Sequence, residues 1–181
     1  LRGAATGVVP EEKKIDTIEE MYRIVKEPGN GYKVIIVACP NEDRANFWQK
    51  RLEGLKGQII NKESIIFVIP FPEEEWKSDV KDNEGKTLKG GQLLVTLYAW
   101  KEAKARAVKM GIDLEEMLKD DEHSIAIYHT VGEGKRTYPA PGVEVNSKAT
   151  VNVPNNLMLE GKETPQTMLE SVIFASQIFA K

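Results

Sequence analysis

Three short apolar runs, Tyr32 to Cys39, Ser64 to Pro70 and Ser124 to Tyr128, are rich in β-branched residues and carry almost no polar alternation. Runs of this kind form strands buried on both faces of a parallel sheet. Around them the apolar spacing changes to that of helices. Before the first run, Ile15, Ile18, Tyr22 and Val25 fall at helical intervals, with Thr17 and Glu20 as a capping box and the glycines at 29 and 31 as a stop. After it, Asn41 is an N-cap, Glu42 and Asp43 suit the positive end of a helix, and Ala45, Trp48, Leu52 and Leu55 form the inward stripe that Gly57 closes. Behind the second run, Leu94, Leu97, Ala103 or Lys104, Ala107 and Met110 define a helix ended by Gly111, and "DLEEMLK" adds a turn or two. A last helix is expected with Thr164 as N-cap, Pro165 at its first position, and Met168, Leu169, Val172, Ile173 and Phe179 along it.

Strand and helix therefore alternate three times, which predicts an α/β fold: a mostly parallel sheet with helices on both faces, Rossmann-like in type. The chain reads as a single domain over 1–181. It has an N-terminal arm and helix at 1–31, a strand-helix-strand-helix unit at 32–120, and a strand, glycine loop and C-terminal helix at 121–181. Between Phe71 and Gly91, about twenty residues show little periodicity, the mark of a lid, a binding loop or a mobile segment. In a parallel sheet ligands bind beyond the carboxyl ends of the strands. Cys39 to Asn41, Pro70 to Pro72 and Thr130 to Pro139 are expected to leave the sheet at that edge.

Composition narrows the partners. Lys and Arg total 25 against 28 Asp and Glu, a net charge of -3, so no global basic field favours nucleic acid. The single cysteine, Cys39, excludes an internal disulfide and a multi-cysteine metal cage and is expected to be a buried thiol. No apolar run approaches membrane-spanning length and no secretion signal is present at the start, which predicts a cytoplasmic protein without membrane contact. The sequence opens on Leu1 and stops inside a predicted helix, so it reads as a processed product or a piece of a longer protein.

The chemistry concentrates after the third strand, in "HTVGEGKRTYP". Gly132 and Gly134 free the backbone for positive φ and close approach to a ligand, and successive amides in such a turn form an anion nest. Lys135 adds a point charge and Arg136 a bidentate fork. Glu133 between the glycines opposes a phosphate, and a plain surface turn is the alternative. His129 at the strand end is a candidate proton carrier or phosphate contact, against a structural role. The acidic residues Glu73, Glu74, Glu75, Asp79 and Asp82 match no calcium-loop spacing and read as a solvated loop.

The pattern Gly132-x-Gly134-x-Arg136-x-x-Pro139 after a buried strand resembles the signature loop of sugar-1-phosphate nucleotidyltransferases, the nucleotide-sugar pyrophosphorylases. "NSKATVNVP" is similar to that family's lysine-containing stretch and "TMLESVI" to the helix that follows. "YKVIIVACPNEDRANFWQKRL", "SIIFVIPFPEEEW" and "GGQLLVTLYAWKEA" are similar to other strand and helix segments, so the likeness covers about two thirds of the chain. The resemblance implies transfer of a nucleotidyl group from a nucleoside triphosphate to a sugar 1-phosphate, with Mg²⁺ bridging phosphates and pyrophosphate released. It implies that Gly132, Gly134 and Lys135 face the triphosphate, Arg136 holds its β/γ portion, Lys148 meets the sugar phosphate or α-phosphate, and Gly91 and Thr96 lie near the base. The metal ligands are not assigned.

The sequence also departs from the family pattern. The loop follows the other segments instead of preceding them, Lys135 stands where a small hydroxyl residue is usual, Val131 precedes the first glycine, and Ala149 replaces a proline. Lys135, Ala149 and the lack of an apolar strand ending in aspartate after Lys148 favour the alternative of a non-catalytic α/β module that binds nucleotide or a protein partner. A dinucleotide-binding domain is the weaker third reading, because the glycines run into "TYPAPGVEV" and not into an amphipathic helix.

Overall fold

The computed structural model describes residues 11–72, 77–81, 87–89, 92–119, 122–131 and 147–180. Its centre is a three-stranded parallel sheet in the order β2-β1-β5, formed by β1 (Val34–Cys39), β2 (Ile65–Pro70) and β5 (Ile125–His129). Every residue of β1 is buried, as the unbroken apolar run requires of a middle strand. Ile35, Val37 and Cys39 pack under α2 (Glu42–Glu53) and α5 (Met168–Ser176), while Val34, Ile36 and Ala38 pack under α3 (Gln92–Lys109). The chain is thus a mixed α/β structure with helices on both faces of the sheet. β1 reaches β2 through α2, and β2 reaches β5, on the other side of β1, through α3. The two connections run in opposite lateral directions on opposite faces, so they share one hand.

The N-terminus of α2 forms as expected. Asn41 Oδ1 accepts from the Arg44 amide at 2.9 Å, and Ala45, Trp48, Leu52 and Leu55 are buried. The helix ends at Glu53 with Gly54 as its cap, before the expected Gly57. A Cβ on Gly54 would come 2.6 Å from Leu159 Cδ1, so a hairpin seats directly on this helix end.

That hairpin corrects the reading of the C-terminal third. Thr164 and Pro165 do not open a helix. They lie in β7 (Lys162–Thr167), antiparallel to β6 (Asn152–Leu159). The two-residue turn between them has positive φ at Glu160 (51°) and Gly161 (77°), the combination that primed hairpin turns require. The helix starts later, with Thr167 as N-cap in a capping box with Glu170. Leu169 and Ile173 are buried, whereas Met168, Val172 and Phe179 are exposed.

Other expectations shift as well. α1 (Glu11–Lys26) begins before Thr17, so Thr17 and Glu20 form no cap; Glu20 pairs with Arg23 instead. Among its residues 18–26, Ile24 and Val25 are buried while Ile18 and Tyr22 are exposed; the side chain of Ile15 lies outside the described residues. The inward stripe of α3 is Val95, Ala99, Ala103 and Ala107, with Leu97 and Met110 facing out. Small side chains at four-residue intervals let this helix lie close on the sheet, and proximity outweighed the larger residues' hydrophobicity. The stretch read as loop after Pro72 contains a second hairpin, β3 (Lys77–Lys81) with β4 (Thr87–Lys89). α4 (Leu114–Met117) is capped by Asp113. β5 is only half buried, because it has one strand neighbour among the described residues. No described helix is long and apolar enough to cross a membrane.

Candidate functional site

Parallel strands bring the ends of β1, β2 and β5 to one edge of the sheet. The strand order reverses at β1, so the ends of β1 and β5 flank the position where the connecting helices diverge, the place where α/β sheets hold ligands. Thr130 joins the two strand ends. Its amide and its Oγ1 both donate to Ala38 O at 2.8 Å, and Oγ1 lies 3.3 Å from Cys39 Sγ. Burial pushes the Cys39 thiol up to about 11, with the Thr130 hydroxyl and the Arg44 charge acting in the other direction. Cys39 is therefore a protonated core thiol at neutral pH, as its place in an apolar run predicts.

A cleft of about 490 Å³ opens beside the end of β5. Ile127 to Val131 form one wall, and Lys148, Ala149, Met168, Leu169 and Val172 the other. The second wall is held by charge. Glu170, completely buried, receives Arg51 through two guanidinium contacts, one of them at 3.1 Å, and also accepts from the Thr167 amide at 2.7 Å. Arg51 further donates to Pro165 O at 2.8 Å. One arginine of α2 thus pins β7 and the start of α5 beside β5. Tyr128 fixes the same helix further along, with its hydroxyl 2.5 Å from Ser176 Oγ, and burial pushes this phenol up to about 12.

Of the residues expected from sequence, Lys148 lies on the cleft, exposed, in a 3-10 turn at Lys148–Thr150. Thr96 stands near the start of α3, with Oγ1 3.0 Å from His129 Nε2. Two residues weighed separately in the sequence therefore meet at one strand end, although Thr96 itself does not line the cleft. Burial pushes the His129 imidazole below its ordinary value, which favours the neutral ring at pH 7. Gly91, Gly132, Gly134, Lys135 and Arg136 lie outside the described residues. Val131 and Lys148, on either side of 132–147, both line the cleft.

The supporting residues Arg51, Glu170 and Thr130 were not anticipated. Thr167-x-x-Glu170 is a capping-box signature, and the Thr164-Pro165 pair, which begins three residues earlier, competes with it. Arg51 carried no local signal, because its partner is 119 positions away. Comparison of the chain with family models, curated proteins and solved structures returns no match.

Proposed function

We propose that this chain is a Rossmann-like domain that binds a nucleoside triphosphate and a sugar 1-phosphate at the carboxyl edge of its sheet, and that it transfers the nucleotidyl group between them. The observation that carries this reading is the cleft beside β5. Two of its lining residues, Val131 and Lys148, are the points between which the chain runs through Gly132, Gly134, Lys135 and Arg136. Cations and glycine amides tethered at both ends to one cleft suit a phosphate ester.

In the proposed reaction a phosphate oxygen of the sugar 1-phosphate attacks the α-phosphorus, the bond to the bridging oxygen breaks, and pyrophosphate leaves with the electron pair. The work of the protein is positioning and charge neutralisation, with no covalent intermediate. Lys148 meets the sugar phosphate or α-phosphate, and Arg136 holds the departing β/γ portion. Thr96 fixes the ring of His129 on the α3 side of the strand end, and a neutral imidazole accepts a hydrogen bond there. The resemblance implies Mg²⁺. Among the described residues no three His, Cys, Asp or Glu side chains gather to hold it.

The test is pyrophosphate release by the full chain with nucleoside triphosphates, sugar 1-phosphates and Mg²⁺. Arg136→Ala is expected to lower turnover by about a hundredfold or more, with an unchanged circular dichroism spectrum. Unchanged turnover in that variant defeats the role given to Arg136. Lys135 and Ala149, at odds with the family pattern, favour a second reading, a nucleotide-binding module without turnover. Calorimetry that detects triphosphate binding where no pyrophosphate forms selects it.

A further inference from the structure

The geometry points to a second, separate ligand site, a cleft of about 330 Å³ between α1, the segment after α2, the β6–β7 hairpin and α5, fitted to a small planar aromatic anion. It shares no lining residue with the cleft beside β5 and does not depend on the function proposed for that one.

One wall is aromatic. Tyr22 and Phe174 lie with ring centroids 5.0 Å apart at an interplanar angle of 53°. Tyr22 is 45% exposed, so the pair has room for a third ring, and aromatic rings prefer such offset or tilted neighbours to water. The cation is on the same helix, one turn further on. Lys26 Nζ stands 5.8 Å from the Tyr22 ring centroid. Its neighbours offer it no counter-charge, since Glu20 and Glu27 are both bonded to Arg23. Among the described residues no carboxylate lies within ion-pair distance of Lys26. An acid group on a ring stacked against Tyr22 would supply the missing charge.

The facing wall is made of amides, most of them committed. Gln58 bonds the backbone of Met158 with both ends of its side chain, at 2.5 and 3.0 Å, and Asn155 donates to Gln166 at 2.6 Å. These bonds hold the wall rigid. Asn156, exposed at the lip, has no side-chain hydrogen-bond partner among the described residues and can meet the polar edge of a ligand. Tyr22, Phe174, Ile59 and Leu157 beside Lys26 and the side-chain amides, in a cleft of about 330 Å³, suit a ring with a short acidic arm.

The test titrates the full chain with indole-3-acetate and, separately, with tryptamine, which keeps the ring and reverses the charge of the arm. Side-chain amide signals of Asn156 and Gln58 report binding by NMR. Indole-3-acetate is expected to shift both saturably at millimolar concentration and to bind about tenfold more tightly than tryptamine. Lys26→Met is expected to remove that preference, and Tyr22→Ala to weaken both compounds. Equal affinity for the two in the unmodified protein, no saturable shift, or an unchanged preference in Lys26→Met overturns the site.

Discussion

The two outer edges of the parallel sheet are finished in different ways. On β2, the side chain of Gln49 acts as one more peptide unit. It donates to Ile66 O and accepts from the Val68 amide, both at 3.0 Å, and Arg106 donates to Val68 O at 3.1 Å. On β5, no described strand pairs with the outer side, and the cleft runs along it. An exposed strand edge invites pairing with any extended chain. A helix amide closes one edge, whereas the other is flanked by a helix held through a buried ion pair. The cleft therefore lies on the β5 side of the sheet, and the elements that fix α5 fix its shape.

The ion pair is the more consequential of the two devices. Arg51→Met leaves Glu170 buried without its partner, and the loss is expected to be about 3–5 kcal/mol in urea unfolding. Met168 and Val172, which line the cleft, should shift in NMR spectra of the variant at the same time. Adding Glu170→Gln is expected to return part of the stability, because the stranded charge is gone. A loss below about 1 kcal/mol would mean that water reaches Glu170 and that α5 is held by packing alone.

Removing the amide from the closed edge has a smaller effect of a different kind. Gln49→Ala frees Ile66 O and the Val68 amide and is expected to cost about 2 kcal/mol. It also makes the β2 edge resemble the β5 edge, so concentration-dependent self-association should appear in sedimentation velocity. Gln49→Glu keeps the acceptor for Val68 but loses the donor to Ile66 O, and is expected to fall between the two. If Gln49→Ala stays as stable and as monodisperse as the parent, the amide plays no part in closing that edge.

The sequence announced the parallel strands and α2 more clearly than anything else in the fold. A β-branched run flanked by Pro40 and Asn41 has few alternatives, and the Ala45, Trp48, Leu52 and Leu55 stripe follows a single period. The hairpins were hidden because Pro154 and Pro165 interrupt the strand pattern and Glu160-Gly161 is a less common turn pair than Asn-Gly. Alanines carry little weight in a hydrophobic pattern, so the pattern points to Leu97 and Met110, yet it is Ala99, Ala103 and Ala107 that are buried against the sheet. The ends of β1, β2 and β5 fall at one edge because parallel strands share a direction, and the segments that follow Cys39, Pro70 and His129 leave the sheet there. Gln49 and Arg51 looked like any polar residues of a helix face. Their roles depend on partners that only the folded chain brings near, a strand edge in one case and Glu170 in the other.

The smallest effect concerns the end of the open edge, where β5 carries a titrating group and β2 ends in Pro70. Burial holds His129 below its ordinary value of 6.5, so the unfolded chain takes up this proton more readily than the folded one. The sign follows from linkage. His129 favours the folded state fully above the unfolded value, and that contribution is lost as pH falls through the lower folded value. With only two histidines in the chain, the imidazole signals can be followed one by one by NMR. His129 is expected to titrate below 6.5, and His129→Gln to flatten the acid side of the stability profile. Thr96→Val separates burial from the hydrogen bond. Because burial is the cause, the lowered value should survive loss of the Oγ1 contact. A return to 6.5 in that variant would instead assign the shift to the Thr96 hydroxyl, making α3 the element that sets the charge at the mouth of the cleft.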